Sequence, residues 1–232
     1  IGIFCPQINL PICVCANFIY YYFRKLYYRA MSITSTYLEE ENNEQENGQP
    51  GQAVFFQKLL KTRTILLSGE INKPLAERVI RQLILLEDQG EEPVKVFIDT
   101  PGGDADAGFA IFDMMRFIKP EVYTIGMGLV ASAGAIILLA SPAERRIALP
   151  NSHYLIHQPL SGMRGVATEI EIHANELEKL RKKINKLISE ETGVDIKKVE
   201  KDTDRDYWMN AEEAKKYGLV SKIITGTAEL GI

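Results

Sequence analysis

Cysteine is confined to the start of this chain: Cys5, Cys13 and Cys15 are the only three, and every later position lacks one. A disulfide framework and a thiolate metal site are thereby excluded for the body of the chain. That suits a reducing compartment, and a cytoplasmic location is the expectation. Cys13 and Cys15 stand one residue apart, outside the usual zinc-ligand spacings, so no metal is expected. Positive charge is not in surplus either, with 27 basic against 31 acidic residues and a formal net charge of -4. No basic field is available to hold a phosphate backbone, which excludes nucleic acid as the principal partner. Internal repeats are absent, so a solenoid is excluded. What remains, with 46% hydrophobic and 25% charged residues over 232 positions, is one folded domain with a full core.

Long apolar runs are also scarce. Residues 8–23 are apolar and aromatic and are followed by Arg24, Lys25 and Arg29, the pattern of an anchor or targeting segment. Pro11 and Asn17 interrupt the run, it falls short of the ~20 residues that a spanning helix needs, and no small-residue cleavage pattern stands out. A membrane is not an expected partner. The simpler reading takes Met31 as the start and residues 1–30 as upstream sequence. Residues 39–52 are polar and acidic, contain Gly48, Pro50 and Gly51, and read as a flexible arm. The division expected is therefore 1–54 as terminal segment and arm, and 55–232 as the folded domain.

Within that domain, apolar strands alternate with helical patterns. Residues 64–69 and 94–99 read as strands, and Leu75, Val79, Leu83 and Leu86 recur between them at helical spacing, a β-α-β unit. A helix over 105–118, a strand over 122–128 and a helix over 132–140 that is apolar on nearly every side follow. Such strands imply an α/β fold whose parallel sheet is covered on both faces. Residues 146–149 and 154–157 are strand-like, 161–165 form a turn, and a long amphipathic helix runs to about residue 191. Its stripe is Ile170, Ala174, Leu177, Leu180, Ile184 and Leu187, and core packing or an oligomer contact would each explain it. A short helix over 196–201, a helix from Ala211 capped by Asn210 with Glu213 in capping-box position, and a strand over 220–224 complete the pattern.

Three residues carry candidate chemistry. Ser132 lies among small residues between a buried strand and a helix, where its hydroxyl would be exposed beside free N–H groups suited to a developing oxyanion. Close packing is the plainer reading of such residues, and Val130 departs from the G-x-S-x-G pattern. His157, one of three histidines, ends an apolar strand and could serve as a general base, although a structural histidine is the commoner case. Asp202, Asp204 and Asp206 share one loop, and any of them could orient that histidine. The turn containing Gly102 and Gly103 could bring backbone close to a substrate.

Taken in order, TPGG at 100–103, MGLVASAGA at 127–135, LPNSHYLIHQPL at 149–160, TEIEIHANEL at 168–177 and DTDRDYWMNAEEAKKYGLV at 202–220 resemble the proteolytic subunit family of the Clp protease. The resemblance covers residues 55–225. It implies a crotonase-like fold of repeated β-β-α units with a protruding handle helix. It also implies a serine endopeptidase with Ser132 as nucleophile, His157 as base and Asp206 as the orienting carboxylate. The N–H groups of Gly103 and Ala133 would form the oxyanion hole, and Gly102, Gln158, Pro159 and Leu160 would hold an extended substrate. The assembly implied is a pair of heptameric rings forming a tetradecamer, open to mixing with a second subunit, in which Arg205 makes contacts between rings.

An AAA+ Clp ATPase would deliver unfolded proteins and consume the ATP, leaving this chain without a cofactor. The docking positions implied are Lys95, Phe97, Phe117 and Ile147, of which Lys95 and Ile147 stand where aromatics are common. Ala133 replaces a frequent methionine, which leaves its N–H in place, and the acidic arm departs from a more apolar axial segment. Two competing functions stay open: a structural or regulatory subunit of a mixed ring, and a crotonase-type acyl-CoA enzyme using paired amides without the triad.

Overall fold

Seven strands of one mostly parallel sheet decide which loops of this chain meet. The computed structural model describes residues 50–231, and the readings of residues 1–30 and of most of the acidic arm lie outside them. Helix α1 (Pro50–Lys61) takes in the last residues assigned to the arm. A proline at the first helical position loses no hydrogen bond, because that N–H has no intrahelical acceptor, so Pro50 opens a helix where a flexible link was expected. The folded unit described below begins at Lys58.

Strand β1 (Thr64–Ser68), helix α2 (Lys73–Gln89), strand β2 (Val94–Thr100), helix α3 (Ala105–Phe117), strand β3 (Val122–Ala131) and helix α4 (Ala133–Leu138) alternate along the chain. Strands β4 (Arg146–Ala148) and β5 (His153–Ile156) follow. The order β1-β2-β3-β4 is parallel throughout, and β7 (Lys222–Ile223) adds to β4. The Asn72 side chain caps α2 by accepting the Leu75 N–H at 2.9 Å. Leu75, Val79, Leu83 and Leu86 are then buried on one face, as their spacing requires, each contributing ~1.5–3 kcal/mol through burial. All six residues of α4 are buried.

β3 serves two partners in turn. Its first half pairs β4 from Thr124↔Arg146 to Gly126↔Ala148, and its second half pairs β5 from Leu129↔His153 to Ala131↔Leu155. The change falls at Gly128, where φ is 54° and a Cβ would lie 2.6 Å from the Asp99 carboxylate. That carboxylate accepts the Leu129 N–H at 3.0 Å. The chain thus passes Gly128 through an irregularity and stays in the sheet to Ala131, three residues beyond the end expected from sequence.

The expectation of a sheet covered on both faces is corrected. Burial alternates along β1 and β2: Ile65, Leu67, Val94, Val96 and Ile98 are buried, whereas Leu66 is exposed and Lys95 and Phe97 are half-buried. Lys95 and Asp99 interleave with the apolar residues, so the outer face is not apolar throughout. It carries a smaller cluster of Ile125, Ile147, Ile224 and Leu230, with Phe97, Tyr123 and Leu149 against it.

Helices α5 (Ala167–Thr192), α6 (Ile196–Asp202) and α7 (Ala211–Tyr217) complete the unit with strand β6 (Tyr207–Asn210). The long stripe of α5 divides: Ile184 is buried and Leu180 and Leu187 pack on the core, but Ile170 and Ala174 are exposed. Core packing explains its second half, and the first half extends beyond the core. Pairs Glu176–Lys179, Glu178–Arg181 and Glu178–Lys182 support that exposed stretch. The capping box of α7 forms as expected, with Glu213 N–H donating to Asn210 at 2.9 Å and Asn210 N–H to Glu213 at 2.8 Å. β6 was not foreseen. It pairs antiparallel with β5, from His153↔Asn210 to Ile156↔Tyr207.

Candidate active site

Ser132 stands between β3 and α4 with φ 55° and ψ −118°, one of two non-glycine residues at positive φ among those described. Such a conformation costs about 1–3 kcal/mol and needs support. The Ser132 N–H donates to Leu155 O at 2.9 Å, and the Ser132 carbonyl accepts the Ala135 N–H at 2.9 Å. A serine before a helix ordinarily caps it, yet here the side chain makes no cap hydrogen bond. The hydroxyl is left to the cavity that Ser132 lines.

Pairing of β5 with β6 positions the other two groups. Ile156 faces Tyr207 in the last ladder position. His157 and Asp206 are the next residues on the two strands, and they meet, with His157 Nδ1 3.8 Å from Asp206 Oδ1. Since β5 also lies beside the second half of β3, the ends of three adjacent strands bring Ser132, His157 and Asp206 to one edge of the sheet. The neighbouring aspartates are engaged elsewhere. Asp202 accepts from Lys198 at 2.6 Å and from the Tyr217 hydroxyl at 3.0 Å, whose pKa is pushed up by burial and then by that carboxylate. The Asp204 carboxylate lies 3.4 Å from the Gln158 amide nitrogen and 4.0 Å from Arg205 Nη1. The His157 side chain is 15% exposed and that of Asp206 62%.

The turn after β2 faces Ser132 from the other side. Gly102 is buried at φ 93°, and a Cβ there would lie 2.6 Å from Ser132 Cβ and 2.8 Å from Ala131 O. Its N–H donates to Thr100 Oγ1 at 3.0 Å and its carbonyl accepts the Ile71 N–H at 2.8 Å. Gly102 therefore packs beneath the serine and offers no backbone group to a substrate, which corrects its assignment as a substrate contact. Gly103 and Ala133 line the cavity. The Gly103 N–H has no carbonyl acceptor among the described residues, and that of Ala133, first in its helix, has no intrahelical one.

The cavity is about 790 Å³ and is lined by Ser132 and His157 together with Pro159 and Leu160. Leu160 is 81% exposed, leaving its backbone open for strand pairing. Gln158 does not line it: the Gln158 N–H donates to Thr203 O at 2.6 Å, and its side chain holds the Asp204 carbonyl. That corrects a second substrate contact and makes Gln158 a tie to the Asp206 loop. Sequence reasoning missed the wall supplied by α5, including His173, Glu176 and Lys183. The His173 ring is 3.0 Å from Ser161 Oγ, and Lys183 Nζ sits 3.7 Å over the Phe109 ring. Only the amphipathic pattern of α5 hinted at that face.

The remaining positions divide. Arg205 is exposed beside Asp206, with Nη1 2.9 Å from Asp204 O. Lys95 and Phe97 point to the outer sheet face and Phe117 is exposed. Ile147 is fully buried with Ile224 and Leu230, so its assignment as a surface docking position is corrected. The segment Thr227–Leu230, which brings Leu230 into that cluster, is the reason. Among the described residues no group of three or more metal-ligating side chains occurs, and no helix is long and apolar enough to cross a membrane.

A hydroxyl, an imidazole and a carboxylate at adjacent strand ends are the groups that a serine hydrolase uses. Comparison with known proteins narrows the class. The family model described as Clp protease matches residues 47–227. The ATP-dependent Clp protease proteolytic subunit 2 of Treponema denticola is 65% identical over 188 residues, 81% of this chain and 94% of that protein. The subunit of the same name from Treponema pallidum is 60% identical over 185 residues, 79% and 93% of the two chains. A solved structure of a ClpP1 mutant from Listeria monocytogenes matches with a TM-score of 0.72 at 48% identity, covering 76% of this chain and 99% of that one. The chain belongs to the Clp protease family. Its α/β fold is of the crotonase-like type, and it is a serine endopeptidase subunit of the Clp kind.

Proposed function

We propose that Ser132, His157 and Asp206 cleave peptide bonds by acyl transfer. The observation that carries the reading is the strained, non-capping Ser132 at a cavity shared with His157. The Ser132 hydroxyl attacks the scissile carbonyl while His157 takes its proton, and the Gly103 and Ala133 N–H groups receive the oxyanion. His157 returns the proton to the leaving amine, leaving an ester on Ser132. Water then attacks that ester, His157 again taking the proton and returning it to the serine. Asp206 holds the imidazole in the required tautomer and stabilises its charged form. The edge at Pro159 and Leu160 receives the substrate as an added strand.

The 3.8 Å between His157 and Asp206 exceeds hydrogen-bond length, which is about 2.7–3.2 Å. Asp206 belongs to an exposed loop beside Arg205, and α5 extends beyond the core. Both surfaces suit contact with further copies, in heptameric rings paired as a tetradecamer, alone or mixed with a second Clp-type subunit. Assembly would hold the loop and close the pair. Unfolded chains would arrive from an AAA+ ATPase that hydrolyses the ATP, and this subunit works without a cofactor in the cytoplasm.

The same gap also favours a second reading, a structural ring subunit of low activity. Cleavage of a fluorogenic peptide by the assembled parent and its Ser132→Ala variant separates the two. Loss of cleavage in the variant is expected, and equal hydrolysis by both would remove Ser132 from the mechanism.

A further inference from the structure

Helix α4 starts at Ala133, the residue assigned above to the oxyanion hole, and is followed by Leu139 and Ala140, whose carbonyls meet a single side chain. Arg116, in the last turn of α3, donates from Nε to Ala140 O at 3.0 Å and from Nη2 to Leu139 O at 3.1 Å. The same Nη2 donates to Glu191 Oε1 at 2.6 Å, in the last turn of α5. The guanidinium also lies 4.4 Å over the Phe112 ring. The Arg116 side chain is 42% exposed and that of Glu191 19%, so the pair lies at the rim of the core, and Arg146, itself buried, donates to Glu191 O at 2.6 Å. A planar fork that reaches two carbonyls and a carboxylate fixes direction as well as distance, which an ammonium does not.

α5 is bonded to the other side of the site as well. Thr203 donates to the buried Asn185 of α5 at 2.8 Å, and Thr203 O accepts the Gln158 N–H next to His157. One helix therefore touches the supports of both halves of the catalytic set.

We infer that Arg116 is a positioning residue for peptide cleavage: its fork ties the end of α4 to Glu191 of α5 and so sets where Ser132 and the Ala133 N–H stand. This rests on the assignment of Ser132 as nucleophile. The charge also suits the negative end of α4. The fork reacts with nothing, and its effect is on the geometry of Ser132 relative to His157, where small displacements are expensive.

The test uses the assembled full chain with Arg116→Gln, Arg116→Lys and the reversed pair Arg116→Glu with Glu191→Arg. Readouts are kcat and KM for a fluorogenic peptide, the rate of fluorophosphonate labelling of Ser132, and assembly state. Arg116→Gln is expected to lower kcat and the labelling rate about tenfold with KM within about twofold, and Arg116→Lys to recover part of the loss. The reversed pair restores opposite charges but sets a carboxylate against two carbonyl oxygens, so it is expected to stay as slow as Arg116→Gln. Parent rates in the reversed pair would reduce Arg116 to an ion-pair partner and overturn the inference. So would an unchanged kcat in assembled Arg116→Gln, or a rise in KM alone. If Arg116→Gln does not assemble, Arg116→Lys and the reversed pair decide by the same criteria. A full loss in Ser132→Ala beside unaffected Arg116 variants sinks this inference alone, whereas an active Ser132→Ala sinks the assignment beneath it.

Discussion

Gly102→Ala should nearly abolish cleavage without touching a residue that reacts. A Cβ at this position would lie 2.6 Å from Ser132 Cβ, 2.8 Å from Ala131 O and 3.2 Å from Ala133 N, where ordinary contact begins at 3.4 Å. None of these atoms is the end of a flexible side chain, so backbone or the serine must move. Relief at Ser132 requires about 0.8 Å, close to the ~1 Å misplacement that costs on the order of 100-fold in rate. The backbone adds to this: φ is 93°, and an L-residue there costs about 1–2 kcal/mol. With overpacking included, a loss of about 2–4 kcal/mol is expected, lowering Tm by several degrees. The assay is kcat for a fluorogenic peptide, fluorophosphonate labelling and Tm, all on assembled protein. Gly162→Ala is the control, since nothing lies within 4 Å of a Cβ there, and its rate should stay within about twofold of the parent. A Gly102→Ala protein that assembles and keeps kcat within about threefold would refute the packing argument.

Asp206→Asn should lower kcat by about 10³–10⁴-fold in the assembled protein, while Asp202→Asn and Asp204→Asn lose far less. Comparable losses for all three would mean that the loop, not the carboxylate facing His157, is what counts. Thr203→Val removes the hydroxyl whose one proton lies between the buried Asn185 Oδ1 at 2.8 Å and Val199 O at 2.9 Å, and should cost about 1–3 kcal/mol in urea unfolding. An unchanged midpoint would show that the bond is not used. The Glu229 carboxyl is held below its usual value by hydrogen bonds from the Thr225 N–H and hydroxyl and from the Gly226 N–H. A depressed carboxylate stabilises above the unfolded value of about 4.3 and loses that effect as pH falls through its lower folded value. Protection of the Gly226 amide, taken as its exchange rate against the intrinsic rate at each pH, should therefore fall only in acid, and Glu229→Gln should abolish that pH step. A titration of Glu229 at the usual value would contradict it.

Much of the scaffold was readable because its signals are local. Leu75, Val79, Leu83 and Leu86 mark a helix face whatever lies opposite, and Asn210 with Glu213 caps a helix through residues three apart. The errors fall where the deciding contact is distant. Tyr207–Asn210 is too short to show a strand period and becomes one only beside β5. Ile147 looked like a surface replacement for an aromatic until Leu230, far along the chain, covered it. Gly102 and Gln158 resembled substrate contacts because sequence shows that a backbone group is present but not what it already bonds.

The site follows the same division. By itself the sequence determined the family, through ordered motifs that need no knowledge of contacts, and through it the identities of Ser132, His157 and Asp206 as candidates. Left to composition, the three aspartates of one loop were equivalent. Tertiary structure separated them, because antiparallel pairing of β5 with β6 sets Asp206, and neither neighbour, across from His157. It also decided that Ser132 does not cap its helix and that Arg116 reaches the far end of α4. Those are matters of strand register and side-chain direction, which arise only when segments distant in the chain are brought into contact.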